Sequence, residues 1–268
     1  MTAPAMSWSR ITAIARRNAL VLKRSPHRFY DITIWPLVDT LLFGSIGVYF
    51  ARGNADQGEV AAAYLLSGIV LWHVIYQAQI GLATGFLEET WSRNLLSLMV
   101  TPLREVEYVA GVALFGLLKL ALGVGAVMLT AFAFYAFDVT ELGVALIPIA
   151  AILLVVGWAV ALFVMGLVLR FGTGAEALAW GILFLVMPLS GVFYPVNALP
   201  GVLQPVAQAL PSTHAFAAGR ELVDGGPMPW GQIGLAAVSA LALTAVALLF
   251  LARMLALFRR RGYVTRYT

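Results

Sequence analysis

The residues able to do chemistry are few and scattered. The chain has three histidines, His27, His73 and His214, and no cysteine. Without cysteine there are no disulfides, zinc–thiolate sites, iron–sulfur clusters or thiol nucleophiles. The histidines are too far apart in sequence for an obvious metal site. No G-x-x-x-x-G-K-[ST], no G-x-G-x-x-G after a strand and no H-E-x-x-H occurs. Ser190-Gly191 does not complete a G-x-S-x-G elbow. One local group, His214, Arg220, Glu221 and Asp224, would suit a membrane-embedded enzyme such as a lipid transferase. No residue is assigned as catalytic or as a metal ligand.

Two charges lie well inside apolar stretches, Asp39 and Lys119. Such charges are rare and pair with one another or mark a pathway. Equal depth would let Asp39 and Lys119 form a structural pair. A channel or ion-coupled carrier would carry several more. A polar face accompanies them: His73, Tyr76, Gln77, Ile80 and Thr84 fall within about 100° of arc on a helix. Polar side chains at that depth point to a bundle interior, a subunit interface or a water-lined path. Gly81-x-x-x-Gly85 on the same stretch permits close helix approach.

The elements that position these groups are membrane helices. Of 268 residues, 61% are hydrophobic and 11% charged. Soluble domains carry about 25% charge, so lipid must be the solvent for much of the chain. A span needs roughly 20 apolar residues to cross about 30 Å of hydrocarbon. Six stretches qualify: 32–50, 61–86, 108–134, 142–169, 177–194 and 232–257. The fold class is an all-α polytopic membrane protein with a single transmembrane domain over 1–268. The spans show no internal repeat, so an inverted-repeat carrier gains no support. No cleavable signal peptide is expected, because residues 7–28 hold six basic residues and no apolar run.

Lys and Arg give the orientation. The N-terminal segment, the loops after spans two and four, and the C-terminal end hold fourteen of them. The other loops hold only Arg52 and Arg220. Both termini are therefore expected in the cytoplasm. The same asymmetry accounts for the basic pI near 9.6 without nucleic acid. Residues 7–28 form an amphipathic interface segment, with Trp8, Ile11, Ala15, Ala19 and Leu22 on one stripe and Arg10, Arg16, Arg17, Lys23 and Arg24 on another arc. Ser25-Pro26 ends that helix. The segment 87–107 carries Glu88, Glu89 and Arg93, then the apolar run Leu95, Leu96, Leu98, Met99 and Val100, then Thr101-Pro102. A short docking helix is expected there. Seven of the twelve prolines lie between Pro188 and Pro229. They forbid a continuous span. A re-entrant or interfacial half-helix over Ala198–Leu210, within a segment 195–212, is expected on the outer side.

Two stretches resemble the membrane subunit of type-2 ATP-binding-cassette exporters, the ABC-2 transporter family. One is Glu88-Glu89…Arg93-Asn94-Leu95-Leu96…Thr101-Pro102-Leu103. The other is Ser190-Gly191-Val192-Phe193-Tyr194-Pro195-Val196, followed by Leu199-Pro200, Leu210-Pro211 and Arg220. The resemblance implies a permease that pairs with a second copy and recruits a separate cytoplasmic ATPase. ATP and magnesium would then be bound by that partner, with no cofactor in this chain. It also implies ATPase coupling through Glu88, Glu89, Arg93, Leu95, Leu96 and Met99, and an interface helix carrying Trp8, Arg16 and Arg17. Spans two and five would line a path with His73, Tyr76, Gln77, Thr84, Phe193 and Tyr194. The expected setting is a bacterial cytoplasmic membrane. A hydrophobic or amphipathic substrate, drug-like or lipid-like, is favoured. A lipid-linked oligosaccharide or cell-wall polysaccharide is the alternative, given aromatics at Trp72, Tyr76, Phe86, Phe184, Phe193 and Tyr194.

Overall fold

The computed structural model describes residues 7–53, 55–92, 94, 100–138, 143–144 and 146–261. Every regular element among them is helical. In chain order the α-helices are α1 (Trp8–Arg24), α2 (Pro26–Gly53), α3 (Ala55–Trp91), α4 (Glu105–Tyr135), α5 (Leu146–Phe171), α6 (Ala177–Leu189), α7 (Gln204–Gln208), α8 (Pro211–Val223) and α9 (Trp230–Arg261), with short 3-10 turns at Gly172–Ala175 and Val196–Ala198.

Five helices, α2, α3, α4, α5 and α9, are long and apolar enough to cross a membrane. The sixth expected crossing differs. α6 has 13 residues. At about 1.5 Å per residue it reaches only about 20 Å, short of the hydrocarbon thickness. Pro188 stands near its end, and the regular helix stops at Leu189.

Burial sorts the crossing helices into two kinds. In α3 and α5, 67% of the apolar window is buried, against 22%, 28% and 17% in α2, α4 and α9. α3 and α5 form the inner pair. α3 packs on α2 and α4, and α5 packs on α3 and α9. One apolar cluster joins Ile69 and Ile75 of α3 to Ile149, Leu153 and Val156 of α5, with Phe216 of α8. A second joins Leu82 and Leu87 of α3 to Leu162, Met165 and Val168 of α5 and to Phe258 of α9. The outer helices present large exposed side chains such as Leu129, Val238 and Leu241. Lipid can cover such faces where water could not.

Small residues permit a close α3–α4 crossing. A Cβ on Gly81 would stand 3.4 Å from the Gly116 backbone, and one on Gly85 would strike Val112 at 2.6 Å. The α3–α4 approach therefore uses both glycines of the Gly81-x-x-x-Gly85 pair.

α1 departs from the expected interface helix in what it covers. Ile11, Ile14 and Leu22 are buried, and Ile14 lies in the cluster with Tyr108 and Val112 of α4. Its apolar stripe faces protein. Trp8, Leu20 and Val21 are the exposed apolar residues.

α2 contains Pro36 in its interior. Proline has no N–H, so the Ile32 carbonyl one turn earlier loses its helical donor. The Gln77 side-chain amide of α3 donates to that carbonyl at 3.2 Å. Gly123 of α4 makes room, since a Cβ there would lie 2.2 Å from Gln77 Nε2. In hydrocarbon no water can perform this task.

Gln77→Leu is expected to destabilise the protein by about 1 kcal/mol, the scale of interhelical hydrogen bonds in bilayers. Pro36→Ala should help more in that background than in the wild type, because alanine supplies the missing N–H. Unfolding of the four proteins in a mixed detergent series measures this. Equal gains in both backgrounds would discard the assignment.

Candidate functional site

One end of the bundle gathers the arginines of α1 and the acids of α3 and α4. Arg28 Nη1 lies 2.8 Å from Glu88 Oε1. Arg17 Nη2 pairs with Glu89 Oε1, and Asn94 Nδ2 donates to Glu89 Oε2 at 2.7 Å. Arg10 Nη1 lies 3.1 Å from Glu107 Oε2 and donates to the Pro102 carbonyl at 2.7 Å. Glu107 also accepts from the backbone N–H of Ser7 at 2.8 Å and of Arg104 at 2.9 Å. The Arg104 contact is the return half of a capping box, with the third helical residue reaching back to the N-cap. Glu107 is inaccessible to solvent. On the same end, Trp91 Nε1 donates to Glu176 Oε1 at 2.7 Å.

This clasp gives the acidic pair contacts within the chain. Glu88 and Glu89 are expected from the resemblance to meet an ATPase. In the structure both hold α1 and α2 against the end of α3. Glu89 is nearly enclosed and has little surface for another chain. Arg17 is committed to it. Trp8 and Arg16 are exposed. Arg93, Leu95, Leu96 and Met99 lie outside the described residues. So does the docking helix expected from them, while Val100 beside them is exposed.

The middle of the bundle holds the charges and the polar face. Asp39 and Lys119 do not pair. His73 Nε2 stands 3.3 Å from Asp39 Oδ2, out of hydrogen-bond alignment. Lys119 Nζ lies 5.3 Å from the centre of the Phe115 ring, one turn back on α4. Side chains tilt toward their helix N-terminus, which draws Lys119 to the arginine-rich end. Depth alone did not make the two charges neighbours. His73 and Gln77 are buried within the protomer. Gln77 caps Ile32, and Thr84 Oγ1 donates to the Ile80 carbonyl of its own helix at 2.6 Å. Tyr76, Phe193 and Tyr194 remain half-buried.

The opposite end holds the break after α6. The expected half-helix over Ala198–Leu210 does not form as one piece. Pro200 and Gly201 separate a 3-10 turn at Val196–Ala198 from the five-residue α7. The longer short helix is α8. Gly191 has φ +62, and a Cβ there would lie 2.7 Å from the Tyr194 carbonyl. Its own carbonyl accepts from Arg220 Nη1. The Ser190 and Ser212 hydroxyls share a 2.7 Å bond, and both residues are fully buried. Tyr194 donates to the Pro188 carbonyl at 2.9 Å, and Thr213 donates to Ala207 at 2.5 Å. Phe193 stacks on Phe43 of α2, with ring centres 4.1 Å apart. The break is thus hydrogen-bonded within itself, as membrane depth demands.

The same contacts give structural partners to three residues of the enzyme candidate. His214 is held between Gln232 at 3.1 Å and the Gln208 carbonyl at 3.0 Å. Asp224 accepts from Tyr64 of α3, and Arg220 turns to Gly191. Three of the four residues face different partners rather than one reacting centre. Among the described residues, no group of three His, Asp or Glu could hold a metal ion.

A family model described as ABC-2 type transporter matches residues 9–223. The chain belongs to the ABC-2 type transporter family. The match runs from α1 through α8, so it includes the clasp, the polar middle and the break. No curated protein matches the chain. This ABC-2 permease is a multi-pass membrane protein built for transport.

Reasoning from sequence missed the Pro36 cap, the Glu107 clasp and the Tyr64–Asp224 contact. A proline inside an apolar span was the available signal for the first. Glu107 three residues after Arg104 was the available signal for part of the second. The third joins residues 160 apart and leaves no local trace.

Glu89→Ala and Glu107→Gln should each loosen α1. Trypsin is expected to cut α1 several-fold faster in either variant, because cleavage follows the population of the opened segment. Cleavage at wild-type rates in both would sink the clasp. At the other end, Gly191→Ala should destabilise by about 1–2 kcal/mol, since a Cβ is costly in a left-handed conformation. Thermal aggregation midpoints in detergent would record that loss.

Proposed function

We propose that this permease exports a hydrophobic or amphipathic compound from the cytoplasm or inner leaflet, driven by a separate ATPase subunit. The observation that carries the reading is the family match extending over both the clasped end and the broken end. The chain offers no phosphate-binding loop, so ATP and magnesium belong to the partner. Fourteen of seventeen Lys and Arg residues fall in the N-terminal segment, the stretch after α3, the end of α5 and the C-terminal end of the sequence. By the positive-inside rule the clasped end is cytoplasmic, with both termini. The setting that suits such a two-component exporter is a bacterial inner membrane.

The partner ATPase would dock beneath the clasp, against the segment between α3 and α4 and the exposed Trp8 and Arg16. Three ion pairs tie α1, α2, α3 and α4 together at that face. A push on the 92–104 connection would then move four helices as one body, not a loose loop. A second copy of the chain completes the transporter. α6 and the turn after it would make the sixth crossing, with α8 as the outer partial insertion.

The oligosaccharide alternative is weakened by two placements. Trp72 and Phe86 are 4% and 5% exposed, inside the protomer core. Neither can offer a face to a sugar ring.

Co-expression with an ABC-type ATPase subunit should yield a stable complex. In liposomes that complex should move an amphipathic dye only with ATP and magnesium. No ATPase bound, or equal transport without ATP, would refute the exporter.

A further inference from the structure

α2 and α3 bring a carboxylate whose one basic neighbour among the described residues is an imidazole to the middle of their lengths. Asp39 lies 13 residues from the start of α2 and 14 from its end. His73 lies 18 residues from either end of α3. Among the described residues, His73 Nε2 is the one basic nitrogen within 4.0 Å of the Asp39 carboxylate. Neither ring nitrogen of His73 has a hydrogen-bond partner, and the ring is 1% exposed. The Asp39 side chain is 37% exposed. A carboxylate held open to hydrocarbon at mid-depth is costly and rare. It faces a path or an interface, not lipid tails.

The surroundings say what could meet it. Trp35, Asp39 and Phe43 follow one another at i, i+4 and i+8 on α2, one face of the helix. Trp35 is 60% exposed. Phe43 is half-buried and stacked on Phe193 of the break. Behind Asp39, Tyr76 meets His73 edge-on, with ring centres 5.9 Å apart. An acid between aromatic faces attracts an organic cation through both charge and ring quadrupoles. A hydrated metal ion would use neither Trp35 nor Phe43. Only an amphipathic molecule reaches this depth from the bilayer.

We infer that Asp39, flanked by Trp35 and Phe43 and backed by His73 and Tyr76, binds the cationic group of a lipophilic organic cation carried by this permease. The inference rests on the exporter reading and narrows its substrate class.

The test uses the assembled complex in nanodiscs without nucleotide. The probes are ethidium, a planar aromatic cation, and Nile red, an uncharged aromatic dye, both read by fluorescence titration. Asp39→Asn should weaken ethidium by about tenfold or more, the scale of one charge contact. Nile red should be unchanged. Asp39→Glu should retain ethidium, and Trp35→Leu should weaken it. Elution as a single complex by gel filtration confirms that each variant is folded.

Equal loss of both dyes in Asp39→Asn overturns the site. So does unchanged ethidium binding, or a wild type that binds neither dye. The assay needs no ATP, so the two readings fail separately. Charge-selective binding without ATP-driven transport would sink the exporter and keep the site. ATP-driven transport with charge-blind binding would do the reverse.

Discussion

Every backbone polar group in hydrocarbon must find its partner inside the protein, and that requirement shapes this fold wherever a helix is interrupted. Two interruptions lie within the apolar region. Pro36 removes a donor from α2, and the Gln77 amide replaces it from the neighbouring helix. The break after Leu189 frees several groups at once. Tyr194, Thr213, the Ser190–Ser212 pair and Arg220 take them up. Polar residues that look like a lining in projection are thus partly committed to repair. Thr84 belongs to the same class through its own-helix bond. What remains uncommitted is small: His73, Asp39 and the half-buried aromatics beside them. A transport site is more credibly built from groups without structural duties than from the whole polar face.

Charge is arranged by a second constraint. Ion pairs at the arginine-rich end join different helices, so they fix relative position rather than helix content. Arg10, Arg17 and Arg28 reach three different acids. Exposed pairs of this kind contribute little singly. These are better placed, because Glu89 and Glu107 are enclosed and keep further hydrogen bonds. Losing one partner would strand a covered carboxylate, which is the expensive direction. The acidic doublet therefore does its first work inside the protein. Any ATPase must read the surface that the clasp builds.

The hydropathy of the chain made the five long crossings legible, because span length and apolar content are local properties. The break at Pro188–Pro211 was legible for the same reason: proline acts where it stands. Partners were not legible. Asp39 and Lys119 sit at matching distances along α2 and α4, which invites a pair. Helix rotation decides instead, and it sends Asp39 to His73 and Lys119 toward Phe115. The stripe of α1 was read correctly as amphipathic but given to the membrane. Ile11 and Ile14 face α4, because Gly111 leaves a seat in which a Cβ would strike Ile14 at 2.7 Å. A glycine's invitation to a distant helix has no local signature. The half-helix at 198–210 failed on detail: apolar content favours insertion, yet Pro200-Gly201 interrupts the segment and leaves only the five-residue helix Gln204–Gln208.

α3 touches each of these features in sequence. Glu88 and Glu89 stand at its clasped end, Gln77 and His73 in its middle, and Tyr64 bonds Asp224 toward the other. At about 1.5 Å per residue its 37 residues reach about 55 Å, the full depth of the bilayer and beyond. A stiff rod with attachments at both ends supplies the spatial continuity that coupling needs. Continuity alone does not transmit a signal; some element must hold two arrangements that both sites bias. The break is the best placed, because turns and short helices can exchange hydrogen bonds where a long helix cannot. Its Arg220–Gly191 and Tyr64–Asp224 contacts join α8 to the turn and to α3. A shift of α3 at the clasp would load those two contacts first, and Phe193 would carry the motion to Phe43, one turn above Asp39.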